Sequence, residues 1–247
     1  MRGRNANARW SRRAQANVVG VALLLGVTVI SLGALTASIG VVVEENAASA
    51  DATRVAADFD AALDPVETTG PARGRVSFTD GSLRTVERSV RLLNDSGVVV
   101  ERRVDGLVYE SGDRRVTFLG GAIVRGRPGR AVLYEPPPVA ASDGVLLVGV
   151  ARLNAAESTA ISGSRASSVV LETNVTHERR SLAEDEYRLA VETETPKPWE
   201  QQFEESGATV TRHDFDGDGI ESVVAAFPGE RVAYVVVHDM RLEVRRG

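Results

Sequence analysis

The stretch VVGVALLLGVTVISLGALTASIGVVV, residues 18–43, decides how this chain is built. It lies inside an uncharged run of 30 residues, 14–43, bounded by Ser11-Arg12-Arg13 before it and Glu44-Glu45 after it. Threonine and serine are its only polar interruptions. As a helix rising ~1.5 Å per residue, the stretch would be roughly 39 Å long, more than the ~30 Å hydrocarbon layer of a bilayer. A single span has no other way to satisfy its backbone N–H and C=O groups inside lipid. Residues 18–43 are therefore expected to cross a membrane, which makes the lipid bilayer the first partner of the chain.

The flanks set the orientation. Arg2, Arg4, Arg9, Arg12 and Arg13 give the first 13 residues a charge of +5 with no acid among them. Residues 14–247 hold 24 basic and 34 acidic side chains. Short basic segments stay in the cytoplasm, whereas long domains cross whatever their charge. The expectation is a single-pass protein of the cell membrane, its N-terminus cytoplasmic and its C-terminal domain extracellular. Only Lys197 among the 29 basic residues is a lysine, and the external part is acidic, as in proteins that face high salt. An acidic surface lacks the basic stripe that nucleic acid requires, so nucleic acid is not expected as a partner. The absence of cysteine excludes disulfides, thiolate metal sites and cysteine catalysis.

Three processing readings compete at the N-terminus. A secretory signal has an apolar region of ~7–15 residues before a small-x-small site. Ala48-Ser49-Ala50 supplies such a site, but the apolar run is too long and two glutamates intervene. A twin-arginine signal fits Ser11-Arg12-Arg13, although Gln15-Ala16 stand where apolar residues belong. The third reading is a class III signal, a basic leader cut off ahead of an apolar helix that stays attached.

Arg12-Arg13-Ala14-Gln15-Ala16-Asn17-Val18-Val19-Gly20 resembles the N-terminus of archaeal type IV pilin-like and archaellin-like proteins. The resemblance implies cleavage by a prepilin peptidase between Ala14 and Gln15, and other pilin-like subunits as partners. Bacterial pilins carry glutamate at the fifth mature position, here Val19, so the likeness is to the archaeal kind. The motif covers about 30 residues. GRVSFTDGSLRTVERSVRLLNDSG (74–97) and VYESGDRRVTFLGGAIVRG (108–126) are more loosely similar to haloarchaeal pilin-like proteins, a likeness that implies no activity.

Beyond the apolar run the helix is expected to continue. Ala48, Ala52, Val55, Phe59 and Ala62 recur at helical spacing. Glu44, Glu45, Asp51, Arg54 and Asp58 lie between them. The pattern stops at Asp64-Pro65, because proline drives the residue before it out of the α region. The reading is a leader over 1–14, one helix over 15–63, a linker over 64–74 built on Thr-Thr-Gly-Pro-Ala-Arg-Gly, and an external domain over 75–247. In that domain the apolar period becomes two. Short β-rich pieces at 76–78, 98–100, 107–109, 116–118, 122–124 and 132–134 alternate with Asp-Gly and Ser-Gly turns. Pro136-Pro137-Pro138 separates them from pieces at 145–153, 169–175, 187–191, 209–212, 223–227 and 232–238. Residues 83–93 fit a strand or a helix. A short helix is expected over 196–206, with proline in its first turn and Gly207 after its end. The fold class is thus α+β: a long N-terminal transmembrane helix followed by a β-rich antiparallel meander or sandwich.

Chemical motifs are few. The chain has no Gly-x-Ser-x-Gly elbow, no phosphate loop and no His-Glu-x-x-His, so enzymatic activity is not expected. His177, His213 and His238 lack a second ligand at i+2 to i+4. His213-Asp214 and His238-Asp239 are either neighbours on paired strands or separate strand-end residues. Asp214-Phe215-Asp216-Gly217-Asp218-Gly219 places carboxylates at positions 1, 3 and 5 and glycine at 6 of a Ca²⁺ loop. Position 12 is Ala225 where bidentate glutamate belongs, leaving Glu221 or a carbonyl to substitute. The other reading is an Asp-Gly turn between two strands. Asn94-Asp95-Ser96 and Asn174-Val175-Thr176 are glycosylation sequons; Asn94 is placed in a turn and Asn174 in a strand. The function expected is a membrane-inserted, pilin-like surface protein, a minor subunit of a type IV-like filament. The alternative is a bitopic anchor that displays a β-rich envelope or recognition domain without polymerising.

Overall fold

The computed structural model describes residues 7–64, 68–155, 160–163 and 166–247. The chain divides into two compact units, Met1–Ala47 and Ala48–Gly247. Helix α1, Asn7–Ala62, contributes residues to both.

Within the first unit, the described side chains from Val21 to Ala47 are exposed. Among the described residues one helix is long and apolar enough to cross a membrane, and none of its most apolar window is buried. Three of its four described hydroxyls, all but that of Ser31, are satisfied by the helix itself. Thr28 Oγ1 donates to the Leu25 carbonyl at 2.8 Å, Thr36 Oγ1 to Leu32 at 2.9 Å and Ser38 Oγ to Ala34 at 2.8 Å. Back-bonding of this kind lowers the cost of placing a hydroxyl in lipid.

The last turns of α1 belong to the second unit and behave differently. Ala52, Val55, Ala56 and Phe59, with Leu63 just beyond, are at most 6% exposed. They recur every three or four residues, so one helical face enters the core. Ala48 and Ala62, at the ends of the expected stripe, are only half-buried. That face packs on Val76 and Phe78 of β1 (Gly70–Phe78) and on Leu83, Leu107 and Tyr109 of the neighbouring sheet. Two carboxylates flank the stripe. Asp58 Oδ2 accepts from the Ser77 amide at 2.9 Å, and Asp51 Oδ2 accepts from the Thr79 amide at 2.7 Å. Asp51 is buried.

Three sheets make up the rest. The first has the order β1, β12 (Ser167–Asp185), β16 (Arg231–Asp239), β10 (Val145–Arg152), β9 (Val139–Ser142), with β17 (Glu243–Arg246) also on β12. The 19-residue β12 gives its first half to β1 and β17 and its second half to β16, with a bulge between Leu182 and Glu184. The second sheet runs β11 (Ala160–Gly163), β2 (Gly81–Val86), β5 (Gly106–Ser111), β6 (Arg114–Leu119), β7 (Ala122–Gly126), β8 (Val132–Glu135). The third runs β14 (Thr209–His213), β15 (Ser222–Ala226), β13 (Arg188–Glu192), β3 (Ser89–Asn94), β4 (Gly97–Arg103). Helix α2, Pro196–Glu205, buries Trp199 and Phe203 in a second core with Leu146, Leu189 and Phe227.

The α+β class and the β-rich unit after one N-terminal apolar helix are therefore present. Three details differ from expectation. Strand β10 runs parallel to β16, from Val145 opposite Val232 to Arg152 opposite Asp239, inside an otherwise antiparallel set. Residues 83–93 are two strands, parts of β2 and β3, divided at Glu87-Arg88. The last five residues of the expected linker are strand: Gly70 to Gly74 already pair with β12. Pro71 is tolerated because β1 is paired in the ladder on one side only. Gly74 is needed for closeness: a Cβ there would lie 2.1 Å from Ala62 Cβ and 2.8 Å from Ala62 Cα. Pro65, where the helix was expected to stop, lies outside the described residues.

Because backbone cannot yield as a flexible side chain can, Gly74→Ala is expected to cost about 1–3 kcal/mol of unfolding free energy. Chemical denaturation of the full chain in detergent measures this. The double change Gly74→Ala with Ala62→Gly should recover part of the loss.

Candidate metal site

The turn between β14 and β15 brings the three aspartates together. One carboxylate oxygen from each of Asp214, Asp216 and Asp218 lies within 4.8 Å of the others. Two glycines make the turn possible: Gly217 and Gly219 have φ of 76° and 87°, the left-handed region that side chains avoid.

Four of the six carboxylate oxygens already accept a hydrogen bond. Asp214 Oδ1 accepts from the Gly217 amide at 2.8 Å and its Oδ2 from the Gly219 amide at 3.1 Å. Asp218 Oδ1 accepts from the Ile220 amide at 2.7 Å. Asp216 Oδ2 accepts from Arg91 Nη2 at 3.2 Å. The Gly217 amide, helped by that of Gly219, holds the Asp214 carboxyl below the usual carboxylate range. Ala225, at the twelfth position, is buried in β15 and offers no side-chain oxygen. Glu221 is turned to Arg212, 3.5 Å away. Ca²⁺ takes six to eight oxygens. The residues present supply the spare lone pairs of three carboxylates, and carbonyls or water would have to complete the shell.

Behind the turn stands a residue that spacing rules do not find. Arg91 is buried on β3, its Nε 2.7 Å from Glu101, and its guanidinium also faces Glu192 at 3.5 Å and Asp216. The guanidinium lies 5.1 Å from the centre of the Phe215 ring. Burial works against its charge, but the three carboxylates outweigh burial and raise its pKa. Burial, with Asp216 nearby, pushes the Glu192 carboxyl up.

The histidines fall otherwise than their spacing suggests. His213 and His238 lie on strands of different sheets, so the two His-Asp pairs do not meet. His213 packs edge-on to Phe215, ring centres 4.6 Å apart. His177 and His238 stand opposite each other on β12 and β16, with their Nδ1 atoms 2.9 Å apart, and Thr69 Oγ1 lies 2.9 Å from His177 Nε2. Only the strand register brings them together. Of the sequon residues, Asn94 closes the β3–β4 hairpin and donates to Asp185 at 2.6 Å, so its amide is engaged. Asn174 is mid-strand on β12 with an exposed side chain. Ala14 and Gln15 lie within α1.

These features define an α+β protein with one membrane-length apolar helix at its N-terminus and a β-rich unit carrying an aspartate turn. A family model described as a family of unknown function, DUF7289, matches residues 13–243, and the chain belongs to that family. No curated protein and no solved structure matches the chain.

Asp214 braces the turn by accepting from two amides of its own loop. Asp214→Ala is therefore expected to lower the melting temperature of the full chain as much in chelator as in calcium. A loss seen only in calcium would make the turn a metal site, since an ion stabilises the folded state by mass action.

Proposed function

We propose that this chain is a membrane-inserted cell-surface protein of pilin-like build, a minor subunit of a type IV-like filament. Residues 18–43 cross the bilayer, the N-terminus is cytoplasmic and the β-rich unit lies outside. The observation that carries the reading is the contrast along α1. Up to Ala47 its described apolar side chains are exposed and three of its four described hydroxyls are back-bonded, whereas Ala52, Val55, Ala56 and Phe59 are built into the core of the β-rich unit. An exposed apolar helix needs lipid or other helices around it. The family match runs through the apolar segment and the β-rich unit alike, which supports reading them as one functional build.

Small residues favour helix packing over simple anchoring. Gly26, Gly33 and Gly40 recur every seven residues and so share a face, since seven steps of an α-helix return within ~20° of the start. A Cβ added at any of the three would meet nothing within 4 Å. Small residues let helix backbones approach closely in lipid or in a filament core. The bitopic anchor remains the second reading, favoured by the same all-round exposure, which suits a lone helix surrounded by lipid.

Mass spectrometry of membrane-extracted protein is expected to find a mature chain starting at Gln15; an intact Met1 would favour the anchor. Gly33→Leu should leave membrane insertion intact yet deplete the protein at least tenfold from sheared surface filaments. A wild-type protein found only as a detergent-solubilised monomer, absent from every sheared fraction, would overturn the filament reading.

A further inference from the structure

A cleft of about 540 Å³ lies within the β-rich unit, between the start of α2, strands β6 and β7 and the Arg127-Pro128-Gly129 loop. Its size is that of a small-molecule site. The cations and acids on its walls are largely paired with one another. Arg115 binds Glu110 through Nε at 2.8 Å and binds Glu194 through Nη1. Asp113 takes Arg127 at 2.9 Å and Arg114 at 3.6 Å. Lys197 is the exception. It is exposed on the cleft wall in the first turn of α2, and among the described residues no carboxylate lies within 4.0 Å of it; Glu200, one turn further along, feels its charge but is hydrogen-bonded to Arg212. It is also the single lysine of a chain whose other basic residues are all arginine.

We infer that this cleft binds an acidic monosaccharide of the uronate type, its carboxylate held by Lys197. One ammonium in no direct ion pair matches one carboxylate. The paired carboxylates of Glu110, Asp113 and Glu194 retain lone pairs that accept from sugar hydroxyls, as ionised carboxylates offer about four acceptor sites each. Arginines 114, 115 and 127 donate to the hydroxyl oxygens. The rings of Pro128 and Pro198, with Ala131, give the C–H face of the sugar an apolar seat. A phosphate dianion fits less well, because its second charge finds no cation that is not already paired with Glu110, Asp113, Glu194 or Glu200. This inference rests on the cleft alone and is independent of the filament reading.

The test uses the full chain in detergent micelles at fixed ionic strength. Isothermal titration should show glucuronate binding, with glucose and inorganic phosphate each at least tenfold weaker. Lys197→Gln should weaken glucuronate at least tenfold, and Lys197→Arg should restore most of the loss. Carbodiimide with glucuronate on the wild-type protein should add the sugar acid to the Lys197 peptide, a readout that does not depend on any variant folding. Equal binding of glucose, tighter binding of phosphate or of an aspartate-rich peptide, unchanged affinity in Lys197→Gln, or no capture at Lys197 would each overturn the inference.

Discussion

The structure of the β-rich unit depends on how the last turns of α1 meet strand β1. An edge strand exposes N–H groups that must find partners. Asp58 and Asp51, seven residues apart and so on one side of the helix, supply acceptors to Ser77 and Thr79 along that edge. Phe59, Val55 and Leu63 fill the space beneath, and Gly74 lets the helix backbone come close enough for both to happen. Tyr109 ties the second sheet to the same place: its hydroxyl donates to the Asp80 carbonyl at 2.7 Å, and burial pushes its pKa up to about 12. With β1 held, β12 pairs beside it, and β12 in turn carries β16 and β17. The helix is therefore a structural member of the unit as well as its N-terminal extension.

This arrangement explains what could be read from the residues. The apolar run and the stripe of Ala52, Val55 and Phe59 were legible because a helix repeats every 3.6 residues and burial follows the repeat. Alternation and Asp-Gly turns located most strands for the same reason. Asp51 and Asp58 were not legible as partners of β1, because a carboxylate on the flank of a stripe looks the same whether it meets water or an amide. The parallel pairing of β10 with β16 joins segments far apart in the chain, and no local period records such a partner. Strands β9, β11 and β17, four residues each, are too short to display a period.

The aspartate turn shows the same division. Proximity of Asp214, Asp216 and Asp218 followed from their spacing. Their engagement by amides of their own loop and by Arg91 did not, because Arg91 arrives from β3, more than a hundred residues earlier. Arginine recurs in this role across the unit, each guanidinium serving two or three carboxylates: Arg91 beneath the turn, Arg115 beside the cleft, Arg245 between Glu172 and Glu243. A planar fork of five donors suits such shared sites in a way that an ammonium does not. Against that background one exposed lysine is conspicuous.

The same lysine gives the most direct test of the membrane account. A membrane-impermeant amine-reactive reagent applied to intact cells has Lys197 as its only side-chain target in this chain. If residues 18–43 span the bilayer with the β-rich unit outside, peptide mapping will find Lys197 modified as fully on intact cells as after the membrane is opened. Modification that appears only once the membrane has been opened would place the β-rich unit inside and contradict the account.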